Sequence, residues 1–165
     1  MHTAVNSRFV YRSAARLMVV LAVTAALTSC LNLNVEGPGT QPSDPAHESF
    51  AGSLHVDISQ MQRTPSGVYY KDGPLGSGAA FTGLGTVTIS FVGYLKNGAL
   101  FQQGSDVQIV LGNEIVGLQE GMQGMRPGGE RLIVVPSALG FGGGVTGTVP
   151  PNSTLVYDLV LTSVP

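Results

Sequence analysis

The chain has 165 residues, of which only 11% are charged; 23 are glycine and none is tryptophan. That length holds one ordinary domain plus an export segment and a tether, and so many glycines suit strands and turns better than a helical bundle. Beyond residue 30, five cations (Arg63, Lys71, Lys96, Arg126 and Arg131) face ten carboxylates, a balance that excludes a phosphate-neutralising nucleic-acid surface.

Arg8, Arg12 and Arg16 are the only formal charges before Cys30. They mark residues 1–16 as a positive leader. Residues 17–27 follow as an apolar run of signal-peptide length, too short to span a bilayer comfortably. The run ends in Leu27-Thr28-Ser29-Cys30, which resembles the bacterial lipobox. That resemblance implies a signal peptide over residues 1–29, lipidation of Cys30 with diacylglycerol and palmitate-type chains, and membrane anchoring, which two or more chains make stable. It places the protein in the cell envelope. In a Gram-negative cell it leans to the outer membrane, facing the periplasm, because Leu31 stands where an Asp would signal retention at the inner membrane. Cys30 is the only cysteine, so a disulfide within the chain is excluded.

Residues 30–49 then form the lipidated cysteine and a flexible tether. Gly37, Pro38, Gly39, Pro42, Ser43, Asp44 and Pro45 leave no periodic apolar face. The folded domain is expected over residues 50–165. Leu54, Val56 and Ile58 alternate with His55 and Asp57, the pattern of a half-buried strand. His55, Asp57 and Ser59 share the solvated side of it. Val68-Tyr69-Tyr70-Lys71 follows the turn at residues 64–67 as a second strand, and residues 72–85 are a glycine-rich connection. Val87, Ile89 and Phe91 alternate most cleanly. Asn97-Gly98 signals a hairpin, residues 99–103 return from it, and Val107, Ile109 and Leu111 alternate again. Ile115, Leu118, Met122 and Met125 have helical spacing, but Gly117, Gly121 and Gly124 lie in that segment. Such a helix survives only by packing on a sheet. Residues 131–135 and 155–161 are two further strands. The sum is α+β, a twisted antiparallel sheet with one short helix on it.

Histidine occurs only at His2, His47 and His55, so neither a metal cluster nor a catalytic triad is expected, and no cofactor. Gly142-Gly143-Gly144 lacks the Lys and Ser/Thr that complete a phosphate-binding loop. A flap over a pocket suits it better.

Five blocks, in order, carry a family resemblance. Residues 86–102 run Thr86-Val87-Thr88-Ile89-Ser90-Phe91-Val92-Gly93-Tyr94-Leu95, then Lys96-Asn97-Gly98-Ala99-Leu100-Phe101-Gln102. Leu111-Gly112 precedes Ile115-Val116-Gly117-Leu118-Gln119-Glu120-Gly121. Gly124-Met125-Arg126-Pro127-Gly128-Gly129-Glu130-Arg131 follows. Val135-Pro136-Ser137-Ala138-Leu139-Gly140-Phe141-Gly142 and Val149-Pro150-Pro151-Asn152-Ser153-Thr154-Leu155-Val156-Tyr157-Asp158-Leu159-Val160-Leu161 complete the set. Together they resemble the FKBP-type peptidyl-prolyl cis/trans isomerases over about 80 residues, counted from the blocks.

The resemblance implies an FKBP-like sheet wrapped on its helix. It also implies rotamase activity on proline-containing polypeptides, assisting the folding of exported proteins. Phe91, Phe101, Gln102, Leu118, Phe141 and Tyr157 would be catalytic, with Leu118 as the floor under the proline ring. Val107, Ile115 and Val149 would bind substrate, and the main-chain N–H of Ile115 would hold a ligand carbonyl. Three departures lower the pocket's polarity. Gln102 replaces the family's Asp, Phe141 replaces its loop Tyr, and Phe91 replaces another Tyr; Leu118 stands for its Trp. Macrolide inhibitors of the family are therefore expected to bind weakly. The alternative is a non-catalytic module that clamps proline segments, or a chaperone, on the same fold.

Overall fold

The computed structural model describes residues 42–144 and 146–165. The signal segment, Cys30 and the tether up to residue 41 lie outside the described residues. Six strands form one sheet: β1 (Gln62–Arg63), β2 (Tyr69–Asp72), β3 (Thr86–Leu95), β4 (Leu100–Val110), β5 (Gly129–Val135) and β6 (Leu155–Ser163). Their order across the sheet is β1-β2-β5-β6-β3-β4, and every neighbouring pair is antiparallel. Among the described residues one α-helix, α1 (Val116–Gly121), precedes β5.

Alternation along the strands splits the apolar residues between two faces. Val87 and Ile89 of β3, Ile133 and Val135 of β5, and Leu155, Tyr157, Leu159 and Leu161 of β6 join Leu118, Met122 and Met125 in the main core. The opposite face presents Tyr69, Val134 and Val156, with Tyr94 and Leu132 beside them. Residues of the 50–61 segment, with Leu54 buried among them, cover it. The sheet therefore has a helix on one side and a peptide strap on the other.

That strap is not the strand its alternation suggests. Residues Gly52–Leu54 and Ile58–Gln60 form two single 3₁₀ turns. His55, between them, adopts a left-handed conformation (φ 51°), and Asp57 caps the second turn by accepting from the Ser59 N–H at 3.1 Å. Leu54, Val56 and Ile58 still reach the sheet, but as successive turn residues rather than as one face of a pleat. Attachment also begins upstream of Phe50, where the tether was expected to end. Pro45 is buried in a further 3₁₀ turn, Glu48 pairs with Lys96 at 2.7 Å, and Ser43 and Ser137 exchange reciprocal bonds. In these, the Ser43 N–H donates to Ser137 Oγ at 2.8 Å and the Ser137 N–H to Ser43 Oγ at 2.7 Å.

The hairpin at Asn97-Gly98 forms as expected, with Gly98 at φ 87° and its N–H donating to the Leu95 carbonyl. The two short return strands expected after it are one bent strand, β4. Opposite Ser90 the register shifts between Ile89↔Val107 and Phe91↔Gly104, and Asp106, inserted there at φ 51°, donates its N–H to Ser90 Oγ. A bulge of this kind bends the strand and re-aims its side chains.

Helix α1 covers less than the apolar pattern from Ile115 to Met125. Ile115 is its N-cap and Met122 its C-cap. Its glycines are close-approach residues. A Cβ at Gly117 would stand 2.2 Å from Val135 Cγ1, and one at Gly121 would stand 2.7 Å from Ile133 Cγ2. The helix lies almost flat on β5 because these two positions have no side chain. Arg131, buried in β5, holds its far end. One guanidinium nitrogen donates to the carbonyls of Gly121 and Gln123 at 2.7 and 2.8 Å, Nε pairs with Asp72 at 2.7 Å, and the group lies over the Tyr70 ring.

Candidate active site

The close seating of α1 leaves a cleft between the helix, the β3–β4 hairpin, β6 and the flap at residues 136–152. It consists of two hollows that share Gln102, Glu114 and Tyr157 as walls. The smaller, about 160 Å³, brings together Phe91, Val107 and Leu118. The larger, about 390 Å³, brings together Phe101, Ile115, Phe141 and Val149. All nine residues singled out in the sequence therefore converge, although they span more than sixty positions. Of the residues lining the smaller hollow, Leu118 is buried, and Val107 and Gln102 are exposed.

Aromatic rings set the walls. Phe101 meets Tyr157 edge-on at 5.6 Å and Phe141 edge-on at 6.3 Å, and Phe91 lies tilted against Tyr157 at 6.3 Å. These are the quadrupole-favoured geometries, and they fix the rings without a polar contact. Gly93 makes room for Phe101, since a Cβ there would stand 2.8 Å from the ring. Tyr157 is only 2% exposed. Burial, and secondarily the charge of Glu114, push its phenol well above the usual range, so it stays protonated.

The polar features are few. The N–H of Ile115 stands at the helix entrance with no acceptor among the described residues, in a residue that lines the larger hollow. It is placed to meet a carbonyl oxygen. The flap is tied down by its own backbone, with Gly142 N–H donating to the Ser137 carbonyl and Asn152 N–H to the Gly142 carbonyl, both at 2.8 Å. Glu114 was missed from the sequence. Its one signal in the sequence is that it is the single acid between Asp106 and Glu120, directly before Ile115.

Chemically, the cleft suits an amide that must twist. A planar X-Pro amide has a barrier of about 18–20 kcal/mol, from resonance that separates charge between oxygen and nitrogen. Water solvates the planar form better than the twisted one. A dry aromatic wall therefore favours the twisted state, and a single N–H steadies the neighbouring chain.

A twisted antiparallel sheet wrapped on one helix, with an aromatic cleft where helix, hairpin and flap meet, defines an α+β domain of the prolyl-isomerase class. The chain belongs to the FKBP-type peptidyl-prolyl cis-trans isomerase family, whose family model matches residues 79–162. It is 35% identical over 104 residues to a probable FKBP-type peptidyl-prolyl cis-trans isomerase of Haemophilus influenzae, covering 60% of this chain and 43% of that protein. It is 34% identical over 85 residues to an FK506-binding protein of Neisseria meningitidis serogroup B, covering 47% of this chain and 78% of the relative. The chain thus spans less than half of the Haemophilus protein and most of the shorter Neisseria one. The crystal structure of a peptidyl-prolyl cis-trans isomerase from Pseudomonas syringae pv. tomato superposes with a TM-score of 0.61 at 23% identity, covering 68% of this chain and 85% of that one. That likeness establishes the shared fold.

Proposed function

We propose that this chain isomerises X-Pro bonds in exported polypeptides while held at the cell envelope by a lipid on Cys30. The observation that carries the catalytic part is the convergence of Phe91, Phe101, Leu118, Phe141 and Tyr157 around one cleft beside the unacceptored N–H of Ile115. In this reading the proline ring rests on Leu118 and the aromatic edges exclude water from the twisting amide. Ile115 receives a substrate carbonyl, and Val107 and Val149 close the sides. Gln102 and Phe141 supply less hydrogen bonding than a carboxylate and a phenol would, so FK506-type macrolides bind weakly while short peptides turn over.

The test is a proline-peptide isomerisation assay on the full chain. The expected result is acceleration over the uncatalysed rate with several residues before the proline. Leu118→Ala lowers turnover tenfold or so, about 1.4 kcal/mol, in a variant whose circular dichroism still shows a folded domain. Absence of acceleration in the wild type, with retained binding of proline peptides, would put a non-catalytic clamp in its place.

The anchoring part rests on the lipobox-like Leu27-Thr28-Ser29-Cys30. Its test is Cys30→Ala, which releases the protein into the soluble fraction or leaves an uncleaved precursor. Membrane partition and processing identical to wild type would refute it.

A further inference from the structure

Glu114 interrupts an otherwise uncharged cleft. It lines both hollows and is the only formally charged side chain that lines either. Its main chain is clamped, with the N–H donating to the Leu111 carbonyl at 3.1 Å and the carbonyl accepting from Gln119 Nε2 at 2.7 Å. Gln119 also donates to the Gly112 carbonyl, so one side chain of α1 pins the whole turn that presents Glu114.

The carboxylate itself has no ion-pair partner among the described residues. The three pairs there are His47–Asp44, Lys96–Glu48 and Arg131–Asp72. Arg126 is engaged by the Gly78 carbonyl and Arg63 lies over the Tyr69 ring. An unpaired carboxylate beside aromatic walls is poorly screened, and its field acts at longer range than on an open surface. It already reaches the Tyr157 phenol.

We propose that Glu114 is a specificity-determining residue, selecting chain segments with a Lys or Arg next to the proline. The inference rests on the isomerase reading above and names its substrate class. A cationic side chain fits both features of the cleft. Its aliphatic stem lies along apolar wall such as Phe101 and Ile115, while its head meets the carboxylate at the rim. An acidic residue in the same place meets a like charge. A wall without Glu114 would rank neighbours by apolar area alone.

The experiment uses the full chain and two peptide sets, with Leu, Lys or Glu placed immediately before the proline in one and immediately after it in the other. Isomerisation gives kcat/KM, and fluorescence anisotropy of labelled copies gives Kd. In at least one set the Lys peptide is expected to exceed the Glu peptide by about fivefold or more at low salt, the effect of one partly screened charge. The ratio shrinks in about 0.5 M salt, where the screening length falls to a few ångströms. Glu114→Gln brings it near one, and Glu114→Lys reverses it. Equal treatment of Lys and Glu by wild type in both sets, or a ratio that survives Glu114→Gln, overturns the proposal. If no peptide is turned over, the Kd ratios still decide the charge preference, and the failure then belongs to the isomerase reading alone.

Discussion

Replacing Gly117 with alanine separates two opposing effects in one atom. By helix propensity the change is favourable by about 1 kcal/mol, since alanine is the better helix former. The structure reverses the sign. The new Cβ would stand 2.2 Å from Val135 Cγ1, 2.8 Å from Cγ2 and 3.0 Å from Cβ, where ordinary contact begins at 3.4 Å. Helix α1 must lift from β5 by more than an ångström, or Val135 must leave its fully buried place. Forced methyls in a close-packed core cost about 1–3 kcal/mol. Leu118 and Ile115 ride on or next to the helix that moves, and a shift of that size in positioning groups lowers turnover by up to roughly a hundredfold. Urea unfolding and a proline-peptide assay read the two consequences. Val135→Ala removes both γ-methyls and leaves only the Cβ approach at 3.0 Å, so Gly117→Ala/Val135→Ala recovers part of the activity relative to Gly117→Ala alone. A Gly117→Ala protein more stable than wild type and fully active would show that the helix is not seated by glycine contact.

Arg131→Met leaves the Gly121 and Gln123 carbonyls and the Asp72 carboxylate without their partner; a loss of about 3 kcal/mol is expected, read as a lower urea midpoint at unchanged slope. Tyr157 is neutral in both states below its unperturbed pKa of 10.0. Above that pH the unfolded chain ionises first, so stability falls as pH rises from there towards the raised folded value. Ultraviolet titration should show one tyrosine ionising late, and Tyr157→Phe should flatten part of the alkaline loss. Restoring polarity with Gln102→Asp and Phe141→Tyr is expected to raise affinity for an FK506-type macrolide by roughly tenfold, about 1.4 kcal/mol, measured by calorimetry, with a much smaller change in peptide turnover.

The strands were legible because each alternation corresponds to a two-faced sheet, and both faces are covered. The same signal misled at Leu54, Val56 and Ile58. Alternation records only which residues are buried, and a chain of single turns lying on a sheet buries every second residue as well as a strand does. The glycines of α1 look like a weakness in the sequence, because their cost is local while their benefit, approach to Ile133 and Val135, depends on a strand distant in the chain. The nine cleft residues were found through the family resemblance, eight of them inside its matched blocks and Val107 between two of them, whereas periodicity alone would have left each as core. Glu114 escaped both routes. It is neither apolar nor part of an alternation, and only the two hollows meeting at its side chain mark it out.

The reciprocal bonds between Ser43 and Ser137 give the domain a mechanical entry point. Ser137 opens the flap that carries Phe141 and Val149, and its own carbonyl receives the Gly142 N–H. Tension arriving along the chain from upstream of residue 43 therefore loads the root of the flap before it loads the Glu48–Lys96 pair or any strand. Among the described residues the chain's first anchor is thus the flap that walls the cleft, and the strands are held only by later ones.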